Sequence, residues 1–138
     1  MADAIAAPAG RPHVSQVRVR YAETDQMGVA YYANYLVWFE VARTDWLRAA
    51  GLTYRRLEED GLFLPVIDAQ CRYRAPARYD DTLDVRAVAR LVSPARLAFE
   101  YDITGPGGAV ASGTTVHAFT DSRGRPRRVP ATIKDLLG

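Results

Sequence analysis

Cysteine and histidine are nearly absent from this chain, and their scarcity removes whole classes of chemistry. Cys71 is the only cysteine, so neither an internal disulfide nor a cysteine-based zinc site can form, and a reducing, cytoplasmic setting is expected. His13 and His117 are the only histidines, too little material for a histidine-rich metal site or a serine–histidine relay. G-x-S-x-G, H-E-x-x-H and the phosphate-binding glycine loop are all missing, and "GPGG" at 105–108 joins two strand-like segments without opening a helix, so it is no dinucleotide fingerprint. Neither a metal nor a cofactor is expected. No stretch approaches the roughly 20 apolar residues of a membrane helix, and "MADAIAAPAGRPH" has neither the basic start nor the continuous apolar run of a signal peptide. A formal net charge of +2 is too small for a general polyanion binder, and no broad basic face interleaved with aromatics speaks for nucleic acid.

What is present suffices for one globular domain: 138 residues, 49% of them apolar and 25% charged. Alanine, proline and glycine dominate residues 1–13, a composition that buries too little to offset the entropy of ordering, so a disordered tail is expected there and a single domain over 14–138. Val17, Val19 and Tyr21 alternate with Arg18 and Arg20 at the period of a strand. Tyr35, Leu36, Phe39, Ala42, Trp46, Leu47 and Ala50 recur at helical spacing up to Gly51, and "LTYRRLEED" adds a short helical turn. Four further period-two segments follow, within 62–73, 83–91, 97–103 and 110–118, with Cys71 read as core and His117 as an ordinary strand residue. The turns between them are too short for parallel crossovers, so antiparallel pairing is expected. The economical architecture is α+β, with a curved antiparallel sheet of about five strands around one long helix. One helix cannot cover such a sheet completely, so self-association as a dimer or tetramer is expected.

The chemistry that remains is that of carboxylates. In "YAETDQMGVAYYANYLVWFE", residues 21–40, Asp25 lies in a glycine-bearing loop directly before an aromatic helix start. Such an aspartate can be a turn former or a reactive carboxylate. The helix behind it leaves its first N–H groups near Tyr31, Tyr32 and Ala33 unpaired, a ready site for developing negative charge, and the surrounding rings are placed to exclude water. Asn34 suits a helix cap.

The segment "RVRYAETDQMGVAYYANYLVWFEVARTDWLRAAGL", residues 18–52, followed by "CRYRAPARYDDTLDV", resembles the 4-hydroxybenzoyl-CoA thioesterase branch of the hotdog-fold acyl-CoA thioesterases. The resemblance implies a hotdog fold, hydrolysis of an acyl-CoA thioester, and a substrate crevice between protomers. It puts Asp25 at the family's nucleophile or general base and Tyr32 where a backbone N–H polarises the thioester carbonyl; many relatives have histidine at that position. Glu40 corresponds to an acidic position that can line the acyl pocket, and Met27 and Tyr35 are candidates to touch the acyl group, against the alternatives of a solvated helix residue and core packing. Arg123, Arg125, Arg127 and Arg128 in "SRGRPRR", with Arg90 and Arg96 at another turn, match the phosphates of coenzyme A or form a solvated loop. A non-catalytic acyl-CoA-binding protein would use the same crevice. A hotdog dehydratase would need a histidine in a matching motif, and neither His13 nor His117 lies in one.

Overall fold

The computed structural model describes residues 10–137. Its strands are β1 (His13–Arg18), β2 (Val66–Tyr73), β3 (Thr82–Ser93), β4 (Arg96–Gly105) and β5 (Gly108–Ala118). Its helices are α1 (Asn34–Ala49), α2 (Tyr54–Glu59) and α3 (Ala131–Leu136). The five strands form one antiparallel sheet in the order β1-β3-β4-β5-β2, wrapped around α1: this is the hotdog fold. Register breaks at Val66/Asp68, Leu91/Ser93 and Ile103/Thr104 bend the strands, as bulges do.

Period-two patterning decides which face meets the helix. Val85, Ala87 and Ala89 of β3 pair across to Ile103, Tyr101 and Phe99 of β4, and these residues and Leu83 are buried in the core between sheet and helix. Phe39 stacks on Tyr101 with ring centroids 4.2 Å apart, and Trp46 meets Phe99 edge-on at 5.6 Å. That approach requires Gly113, where a Cβ would stand 2.5 Å from the Phe39 ring. The opposite face carries ion pairs such as Arg86–Asp102 and Arg90–Glu100. Gly51, at φ +86°, closes α1, and Leu52 N–H reaches back to Leu47 O at 2.8 Å.

Two boundaries differ from the sequence expectation. Residues 1–9 of the expected tail lie outside the described residues, whereas residues 10–13 are tied to the sheet and to α1. Gly10 N–H donates to Ala89 O at 2.8 Å, the Trp46 indole donates to Arg11 O at 2.6 Å, and His13 opens β1 opposite Ala87. These partners are distant in sequence, so local composition could not show them. The segment from Leu62 enters β2 only at Val66; before that, Phe63 makes an isolated bridge to Thr120 while Leu62 and Leu64 plug the core. Among the described residues no helix is long and apolar enough to cross a membrane.

His117 lies wholly inside the sheet–helix core, with no exposed surface. Its Nδ1 lies 3.0 Å from Leu64 O and its Nε2 2.9 Å from Thr115 Oγ1, which in turn bonds the Tyr101 hydroxyl at 2.7 Å. Burial pushes the imidazole down to about 4, against the smaller upward pull of the Leu64 carbonyl. At neutral pH the ring is uncharged and structural.

Candidate active site

The Asp25 loop is a closed turn. Asp25 N–H donates to Val29 O and Gly28 N–H to Asp25 O, both at 2.9 Å, and Gly28 takes φ +79°, which suits a residue without a side chain. Asp25 Oδ1 accepts Met27 N–H at 2.9 Å. Its second carboxylate oxygen has no hydrogen-bond partner among the described residues. The turn-former and reactive-carboxylate readings are therefore compatible, since one oxygen closes the turn and the other is left open. The side chain is half-buried. The Tyr31 hydroxyl is pushed up, first by its hydrogen bond to Tyr32 and least by the charge of Asp25.

Ala33 occupies the N-cap position of α1 and offers no side-chain acceptor. Asn34 N–H bonds Tyr31 O at 2.9 Å, while the N–H groups of Tyr32 and Ala33 meet no acceptor among the described residues. Two adjacent donors thus stand open where the helix field is positive. Asn34 is not the expected cap. It is the first helical residue, and its side-chain amide donates to Glu23 O at 2.8 Å, beside the Tyr31 N–H at the same distance. The Glu23 carbonyl therefore ties the Asp25 loop to the helix tip. Buried Glu23 is itself fixed by the Arg20 N–H, 2.8 Å from its carboxylate.

A shallow pocket of about 260 Å³ opens beside the tip, lined by Tyr32, Tyr35, Tyr73, Arg74 and residues 29–30 and 75–76. It is smaller than the roughly 300–1,000 Å³ that encloses most small ligands. Hollows of about 420 and 390 Å³ lie elsewhere, by the C-terminal end of α1 and beside α2, away from the open N–H groups. The expected shielding by aromatic rings is not achieved within one chain, because Tyr31 is 47% exposed and Tyr32 61%.

The sequence description of the thioesterase-like superfamily matches residues 19–137. The chain belongs to that superfamily. It is a thioester hydrolase by family. YneP of Bacillus subtilis (strain 168), provisionally an acyl-CoA thioesterase, is 38% identical over 79% of this chain and 81% of its own length. A hypothetical protein from Thermus thermophilus superposes with a TM-score of 0.84 at 40% identity, covering 90% of this chain and 95% of the other. The 4-hydroxybenzoyl-CoA thioesterase of Pseudomonas sp. strain CBS-3 shares the fold, with a TM-score of 0.82 at 23% identity over 91% and 99% of the two chains.

In this thioesterase, the pocket at the helix tip gathers Tyr32 and Tyr35, but its lining does not include Asp25, Met27 or Glu40. Tyr35 is 3% exposed, and its hydroxyl accepts Ala77 N–H at 3.2 Å, so packing is its main work. Glu40 is exposed on α1 and has no ion pair among the described residues; its charge helps to raise the Tyr54 hydroxyl, after burial. Arg90 is held by Glu100 at 2.7 Å on the face of the sheet away from α1. Arg96, Arg123, Arg125, Arg127 and Arg128 are exposed near Thr120, with Arg127 also donating to Gly61 O at 3.2 Å. That end of β5 is remote from the helix tip. The segment after Tyr73 bonds Val110, whereas the arginine loop follows Ala118, and eight residues of strand span about 26 Å. Sequence reasoning passed over Glu23, Tyr73 and Arg74. The doublet Tyr73-Arg74 was visible in "CRYRAPARY", but only the folded chain brings it to the helix tip.

Proposed function

We propose that this thioesterase cleaves an acyl-CoA ester to a carboxylate and free coenzyme A. Asp25 acts as nucleophile or as general base, and the Tyr32 N–H, with its Ala33 neighbour, polarises the carbonyl. The reading rests chiefly on the two open donors at the tip of α1 being tied, through Glu23 O, to the loop that carries a carboxylate with one free oxygen. YneP, by its name, supports the substrate class. As nucleophile, an Asp25 oxygen bonds the acyl carbon, the C–S bond breaks, and water then splits the mixed anhydride. As base, Asp25 takes a proton from the water that bonds the acyl carbon, and the departing thiolate is protonated. A thiolate leaves readily, so positioned donors and a carboxylate suffice without metal or cofactor.

The same reading assigns a second copy to the open side of the site. Edge strand β2 exposes Val66, Ile67 and Tyr73, and α1 exposes Val37 and Val41, apolar side chains on the two elements that meet at the pocket through Tyr73 and Tyr35. Closure by that copy would supply the missing water exclusion. The phosphate-binding role falls to the arginines of another subunit, since within one chain they stand about 26 Å along the sheet from the tip. A cytoplasmic setting, where acyl-CoA is formed and the lone thiol stays reduced, completes the proposal.

Thiol release from a panel of benzoyl-, acetyl-, hexanoyl- and palmitoyl-CoA provides the test. Asp25→Asn is expected to lower kcat about 100-fold or more on the best substrate with the fold intact, as loss of a positioned acid–base group does. Near-normal turnover would overturn the assignment. Saturable binding by the wild type without thiol release would make the protein an acyl-CoA binder.

A further inference from the structure

Tyr73 stands where the edge of the sheet meets the catalytic helix. It is the last residue of β2, yet its hydroxyl lies 3.0 Å from Tyr32 O, the carbonyl of the residue whose N–H is assigned to the thioester. Its ring packs edge-on against Tyr35 at 4.9 Å, and Tyr35 is buried and bonded to Ala77, so the phenol is held at its base by a fixed partner. Tyr32 O has little else to hold it: the Tyr35 N–H approaches only to 3.4 Å, at the long limit of a hydrogen bond.

The consequence follows from the planarity of the peptide unit. Tyr32 C=O and Ala33 N–H belong to one rigid trans amide and point in opposite directions, so fixing the oxygen fixes the line of the N–H. Tyr31 O is fixed in the same way by the Asn34 N–H, which sets the direction of the Tyr32 N–H. The two open donors are thus aimed from behind, one by the helix's own backbone and one by a side chain from the edge strand. The Tyr73 phenol is pushed up to about 12, chiefly by desolvation and then by the neighbouring Cys71 thiol, so it remains a donor throughout the neutral range.

We propose that Tyr73 is a positioning residue, whose hydroxyl aims the Ala33 N–H by holding the Tyr32 carbonyl and so couples the edge strand to the oxyanion-binding tip. The inference rests on the thioesterase reading above, and it adds a residue that touches neither the acyl group nor the attacking oxygen. It also makes donor alignment depend on whatever holds the exposed end of β2.

The test is Tyr73→Phe, which removes only the hydroxyl and keeps the ring against Tyr35. Steady-state hydrolysis of benzoyl-CoA and hexanoyl-CoA should show kcat reduced about 10-fold with KM within about twofold, less than the 10²–10³ lost when an oxyanion donor itself is removed. In the same variant, free of substrate, the Ala33 amide should shift in the nitrogen–proton NMR spectrum and exchange with deuterium several-fold faster. Tyr79→Phe, an exposed ring that packs on Tyr21 and makes no hydrogen bond to Tyr32 O, serves as the control. An unchanged Ala33 amide overturns the inference whatever the kinetics show, as does a rise in KM at constant kcat, which would mark a substrate contact. Failure of Tyr73→Phe to fold would also overturn it, since the hydroxyl would then hold the fold and not the donor's aim. Asp25→Asn, assayed beside it, separates the two ideas: full turnover in that variant defeats the reaction assignment alone, because the amide measurement does not depend on it.

Discussion

Acid exposes the cost of keeping His117 uncharged. The ring has no exposed surface, and its folded-state value of about 4 lies below the ordinary 6.5. Between those values the unfolded chain binds a proton that the folded chain refuses, so stability rises with pH across the window and is lost as pH falls through it. The whole shift corresponds to about 3 kcal/mol, of which about 2 kcal/mol is lost between pH 7 and pH 4.5. For a domain of this size that is about 6 to 8 °C in Tm. Acid also protonates carboxylates, so the quantity to measure is the difference between wild type and His117→Gln, which cannot titrate there. Thermal melts at half-unit steps from pH 7.5 to 4.5 should show the wild type falling more steeply, with the gap between the proteins narrowing by about 2 kcal/mol. Parallel curves would refute the reasoning, as would an NMR titration of His117 with a midpoint near 6.5.

Gly113→Ala would place a Cβ 2.5 Å from the Phe39 ring and closer still to Gln70 O, so it is expected to destabilise the domain by about 1 to 3 kcal/mol in urea titrations. An unchanged midpoint would mean that Phe39 can leave its stack on Tyr101 freely. Arg125→Ala with Arg128→Ala is expected to raise KM for acyl-CoA several-fold with kcat nearly constant, and to spare hydrolysis of a truncated pantetheine thioester. An equal loss on both substrates would remove the arginine loop from phosphate recognition.

The order of elements and the face each strand turns inward were legible in the sequence, because period-two and period-3.6 patterns record burial directly. Asp25 and the open donors behind it were legible for a related reason: a loop aspartate, a glycine and a helix start lie within about ten residues, and their chemistry is local. Asn34 was misread as a cap because its side-chain partner, Glu23 O, lies eleven residues upstream across the loop. The ordering of residues 10–13 was missed for the same cause, since Trp46 and Ala89 hold them.

By itself, then, the sequence determined an α+β sheet wrapped on one helix, a carboxylate before that helix, and too few histidines and cysteines for a histidine-rich or cysteine-based metal site or a serine–histidine relay. Tertiary structure alone decided that Tyr73 reaches the Tyr32 carbonyl, that His117 is sealed in the core, and that the arginine loop stands at the far end of β5 from the tip of α1. Periodicity reports which side of an element is buried. Which distant residue comes to lie beside it depends on strand order and register, and those are fixed only when the whole sheet closes around the helix.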